Sequence, residues 1–154
     1  MKKITLLFII SVFSISCQQK ELDAKEIINR SIEASGGKKY DSATISFNFR
    51  DKHYKSTRNS SHFKLERHQE DSLGNKIIDK LTNDDFSRTQ NEKPVNLPDS
   101  TASAYSNSVN SVHYFVQLPY GLNGDAVNKD LLGKDSIKGK EYYEIKVSFN
   151  QDGG

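Results

Sequence analysis

The chain of 154 residues has one cysteine, three prolines and one methionine. A single cysteine excludes an intramolecular disulfide framework and any multi-cysteine metal knuckle. No apolar run reaches the ~20 residues that a membrane-spanning helix needs. The four histidines (His53, His62, His68 and His113) form neither a His-x-His nor a His-Glu-x-x-His pattern, so no zinc site is read and no metal or cofactor is expected. No serine sits in Gly-x-Ser-x-Gly. The adjacent carboxylates Glu70-Asp71 and Asp84-Asp85 fall in turns, where acid/base partners do not converge. Asn123-Gly124-Asp125 lacks the other ligands of a calcium loop, and Gly36-Gly37 lacks the Lys-Ser/Thr of a phosphate loop. No catalytic residue is assigned, and no enzyme is expected.

What is present begins with an address. Lys2-Lys3 precede an apolar stretch from Ile4 to Ile15, the layout of a secretory leader, and Ser16 and the lone Cys17 follow directly. Ser14-Ile15-Ser16-Cys17 resembles the lipobox of bacterial lipoproteins, with Ser14 where the common pattern has Leu. The resemblance implies cleavage before Cys17, a diacylglycerol on its sulfur, and an outer-membrane lipoprotein held in the envelope. Residues 1–16 are then leader, 17–23 lipidated cysteine and tether, and 24–154 the domain. The formal charge of +2 belongs to the leader. After cleavage 20 basic side chains face 20 acidic ones, and Lys38-Lys39 is the sole adjacent basic pair. A nucleic-acid partner is not expected.

Hydrophobic period organises the rest. Ala24, Ile27, Ile28 and Ile32 recur at helical spacing behind Asp23, which caps with Glu26 three residues on. Gly36-Gly37 stops this helix. From Ala43 the period becomes two, with Ile45, Phe47 and Phe49 on one face. Further strands are expected at Lys52–Arg58, His62–Gln69, Lys76–Thr82 and Phe86–Gln90. Their short connections make an antiparallel meander. Ala102, Tyr105, Val109, Val112 and Val116 mark a second helix over 99–118, capped by Asp99. Its Ser/Asn-rich opposite face predicts breaks in the middle. A short strand is expected at Leu131–Ile137. A strong one follows, with Tyr143, Ile145, Val147 and Phe149 on one face. Asp152-Gly153-Gly154 is a hairpin-turn signal without a returning strand, so the sequence is expected to be a fragment, truncated at its C-terminus.

The order of these parts resembles the LolA/LolB-like lipoprotein-localisation superfamily. The resemblance is carried by Ala24–Tyr40 with its Gly36-Gly37, by Ala43–Arg50, and by Leu132–Tyr143 leading into Glu144–Phe149. It implies an α+β fold: an open, curved antiparallel sheet, or half-barrel, covered by the N-terminal helix and a helical insertion. It implies a cavity for a lipid or an acylated protein. Ile45, Phe47, Phe49, Phe63, Leu65, Ile145, Val147 and Phe149 are the candidate lining. A dry packed core, and with it a scaffold protein without a ligand cavity, is the alternative reading of the same residues. Separately, Asp41-Ser42-Ala43, Asp71-Ser72-Leu73 and Asp135-Ser136-Ile137 resemble the acceptor triplet for O-linked glycans, which makes Ser42, Ser72 and Ser136 candidate glycosylation sites.

Overall fold

A computed structural model describes residues 21–150. The leader, Cys17 and the Gln151–Gly154 turn signal lie outside the described residues.

Helix α1 spans Ala24–Ala34 and buries Ala24 and Ile28. The Asp23 carboxylate accepts the Glu26 backbone N–H at 2.7 Å, satisfying one of the four donors a helix start leaves open. The stop is tight: Gly37 has φ +54°, and a Cβ there would lie 2.6 Å from the Glu33 carboxylate. A 3₁₀ turn over Gly37–Ser42, not expected from the sequence, leads into the sheet.

Six strands follow: β1 (Thr44–Phe49), β2 (Lys52–Asn59), β3 (His62–Glu70), β4 (Lys76–Thr82), β5 (Phe86–Gln90) and the two-residue β6 (Lys93–Pro94). They pair in sequence order, all antiparallel, as an open sheet with β1 and β6 at its edges. The register puts Leu65 opposite Ser56 and Leu81, and Arg67 opposite Tyr54 and Asp79. Because the side-chain period is two, one face carries Ile45, Phe47, Tyr54, Leu65, Arg67, Asp79 and Arg88.

Helix α2 (Asp99–Val116) lies across β3, β4 and β5 and buries Val109 and His113 against that face. Two local expectations are corrected here. Pro98 is the N-cap residue and offers no side-chain cap, while Asp99 is the first helical residue, where its charge suits the helix dipole. The helix also runs without a break. Its polar side chains find partners: Ser108 Oγ accepts from Arg67 at 2.9 Å, and Ser111 Oγ donates to the Asn107 carbonyl at 2.8 Å. Packing holds what propensity does not.

Strands β7 (Val127–Ile137) and β8 (Lys140–Phe149) form a separate two-stranded sheet. Its turn places Lys138 and Gly139 at φ +52° and +76°, the backbone of a primed hairpin turn. β7 is longer than the expected strand because Val127–Asp130, loop-like in composition, pairs with Lys146–Phe149. α1 packs on this hairpin and on the 3₁₀ turn, whereas α2 is the helix that covers the six-stranded sheet. Among the described residues no helix is long and apolar enough to cross a membrane.

Candidate functional site

Three neighbouring strands each carry one charged residue on the face turned to α2: Arg67 on β3, Asp79 on β4 and Arg88 on β5. They meet under α2. Asp79, fully buried, accepts from Arg67 Nε and Nη2 at 2.9 and 2.7 Å and from Arg88 Nε and Nη2 at 2.6 and 2.9 Å. Arg67 Nη1 continues to Ser108 Oγ, and the Arg88 guanidinium lies 3.7 Å from the centre of the Tyr105 ring. The hydrogen bonds that Arg88 donates to Asp79 raise its pKa above the ordinary value. Charge-assisted bonds and the cation–π contact compensate desolvation. The cluster ties sheet to helix and leaves no carboxylate free for chemistry.

His113 sits beside it, 1% exposed, edge-on to the Phe47 and Tyr54 rings with centroids 5.5 Å away. Its Nε2 is 3.1 Å from the Glu66 carbonyl oxygen, which only accepts, so Nε2 carries the proton. Nδ1 is buried without a partner. Burial lowers the His113 pKa, and the Arg58 charge acts in the same direction, while the hydrogen bond to Glu66 opposes them. The unfolded chain, with imidazole near pH 6.5, then takes up a proton that the fold resists. This stabilisation is full above about pH 6.5 and falls as pH drops below that value. Urea midpoints at pH 7.5 and 5.5 are expected to fall more in the wild-type chain than in His113→Gln. Equal falls would show that His113 takes no part.

A different environment lies between α1 and the β7–β8 hairpin. A half-open cleft of about 580 Å³ is lined by Leu22, Leu131, Gly133 and Tyr143, with Glu21, Arg30 and Lys134 around it. The capped start of α1 fixes one wall. A register shift between Leu131 and Gly133 shapes the other and leaves Leu132 exposed. Lys134 Nζ reaches Glu141 at 3.2 Å and lies 5.4 Å from the centre of the Tyr143 ring, and the Glu141 contact raises its pKa. Arg30 pairs with Glu26 at 2.7 Å. The lining mixes apolar side chains with one carboxylate and two cations, and each cation is paired with a neighbouring glutamate.

The residues singled out from the sequence divide into groups. Ile45, Phe47, Phe63 and Leu65 lie on the α2-facing side of the main sheet. Leu65 is packed at 1% exposure, and Phe47 stacks on Tyr54 with ring centroids 5.3 Å apart. Phe49 shares their parity but is exposed at the strand end. Ile145, Val147 and Phe149 lie on the hairpin, where Phe149 meets Tyr114 with ring centroids 5.8 Å apart. None of the eight lines the cleft beside α1. Ser42 ends the 3₁₀ turn, Ser72 lies in the β3–β4 turn and Ser136 lies on β7; all three are exposed.

Sequence reasoning missed Arg67, Asp79, Arg88 and His113. Their signal was readable. Asp79 falls between Ile77 and Leu81 in strand parity, Arg67 follows Phe63 and Leu65, and Arg88 follows Phe86. A charge on the apolar parity of three strands in a meander predicts a buried ion cluster.

The model of DUF6503, a family of unknown function, matches residues 2–154, and the chain belongs to that family. No curated protein and no solved structure matches it.

Proposed function

We propose that this chain is a membrane-anchored envelope lipoprotein whose domain is related to the LolA/LolB-like superfamily. It holds a lipid or an acylated protein without transforming it. In this reading residues 1–16 are removed, Cys17 carries the outer-membrane anchor, and residues 17–23 tether the domain. The observation that carries the proposal is the cleft between α1 and the hairpin. Leu131 and Tyr143 offer apolar surface, Arg30 and Lys134 would exchange their partners Glu26 and Glu141 for an anionic head, and Glu21 of the lining lies four residues beyond Cys17. Each methylene moved from water into such a cleft contributes about 0.8 kcal/mol. The open six-stranded sheet, covered by α2, is consistent with the same superfamily.

A second reading has its own observation. The space between α2 and the sheet is filled by Tyr54, Leu65, Val109 and the Arg67–Asp79–Arg88 cluster. A filled core favours a scaffold that contacts a partner through its surface.

Displacement of a fluorescent fatty acid separates the two. The chain carrying Cys17→Ser, and therefore no acyl group of its own, is expected to displace the probe. Adding Leu131→Asp, on a side chain 39% exposed, is expected to weaken displacement severalfold while leaving the fold intact. Absence of displacement by the Cys17→Ser chain favours the scaffold.

A further inference from the structure

On the face of the main sheet turned away from α2, one cross-strand row reads Asn48, His53, His68 and Ile78. His53 and His68 are direct register partners, and their ring centroids are 5.9 Å apart with an interplanar angle of 66°. Both line a groove of about 670 Å³ at the end of the sheet where the β1–β2 and β3–β4 turns meet. Two details of hydrogen bonding set this pair apart. Asn48 Oδ1 lies 2.8 Å from His53 Nδ1; an amide oxygen accepts, so Nδ1 carries the proton and the Nε2 lone pair is free. His68 Nε2 is shielded from solvent and has no hydrogen-bond partner.

From this geometry we infer that His53 and His68 form a two-imidazole site for a late first-row divalent ion of the Cu²⁺/Zn²⁺ class. Imidazole nitrogens suit these ions. Two imidazoles bonded to one ion at about 2.0–2.1 Å, with a tetrahedral or somewhat wider angle between them, hold their ring centres about 5–6 Å apart. The observed separation lies in that range. Asn48 acts as the outer-sphere partner that fixes the His53 tautomer. Among the described residues no cluster of three or more His, Cys, Asp or Glu completes a closed site. Water fills the remaining positions on the side of the exposed His53, while His68 Nε2 meets the ion from the shielded side. Asp51 and Glu70 line the same groove, as do Arg50, Lys52 and Lys76. This inference stands apart from the lipid reading, since the groove and the cleft share no residue.

Calorimetric titration of the chain with ZnCl₂ and with CuCl₂ tests it. One ion per chain is expected. His53→Asn and His68→Asn are each expected to weaken binding by about tenfold or more, the scale that loss of even an outer-sphere partner reaches. His62→Asn, on the same strand but outside the groove, is expected to bind as the wild type does. Substoichiometric Cu²⁺ added to the wild-type chain is expected to broaden the imidazole proton resonances of His53 and His68 before those of His62. That measurement needs no variant to fold. Absence of binding, wild-type affinity in the His53 and His68 variants, or equal broadening at His62 would overturn the site.

Discussion

Asp79→Ala is expected to destabilise the chain by about 3–5 kcal/mol, the cost of leaving buried charge without its partner. The substitution removes the carboxylate that receives four N–H bonds from Arg67 and Arg88, whose side chains are only 7% and 11% exposed. Two cations would then face each other beneath α2 with little water to screen them. A domain whose whole stability is about 5–15 kcal/mol would lose a large share of it. Replacing the cluster together (Arg67→Met, Asp79→Leu, Arg88→Met) is expected to recover most of that loss, because a matched apolar set carries no desolvation penalty. Urea unfolding followed by circular dichroism gives both values. A loss below about 1 kcal/mol for Asp79→Ala, the range of an exposed pair, would mean that the cluster is solvated and does not join α2 to the sheet.

Cys17→Ser is expected to move the protein from the membrane fraction to the soluble or unprocessed pool. The thiol would carry the diacylglycerol, and serine at that position offers no sulfur. Two acyl chains hold a protein on a bilayer where one holds it only marginally. Fractionation of cells expressing either form, with intact mass of each, reads the effect directly. The wild type is expected to begin at Cys17 and to carry acyl mass. Equal partition of the two forms, with no acyl mass on the wild type, would remove the anchor from the account.

The sequence made the strands legible because their faces alternate cleanly. Lys76–Thr82 and Phe86–Gln90 coincide with β4 and β5, and the pairing order follows from connections too short for crossovers. α1 was legible through its cap and its Gly-Gly stop. The continuity of α2 was not, because Ser and Asn weaken a helix in isolation and the bond from Arg67 to Ser108 comes from a residue 41 positions away. The length of β7 was hidden for a similar reason. Asn128, Lys129 and Asp130 are poor strand formers, and their partners on β8 hold them in place.

The candidate cavity was legible only as a set of apolar parities. Periodicity shows which residues share a face but not what lies against that face. On the main sheet α2 and a charged cluster fill it. On the hairpin the same kind of face meets α1 and leaves a cleft. Which strands separate into a second sheet is a tertiary outcome that no local window contains. The His53–His68 row was likewise invisible until the β2–β3 register placed the two rings opposite each other.

Paired mass measurement tests the central claim most directly. The protein is extracted from the cell envelope in mild detergent and weighed under denaturing and native conditions. The account predicts a denaturing mass with covalent acyl groups on Cys17, and a native mass larger by one non-covalent lipid or acylated ligand. It predicts that Leu131→Asp, which puts a charge in the cleft, loses the second increment and keeps the first. Native and denaturing masses that agree in the wild type, with no bound ligand, would contradict it.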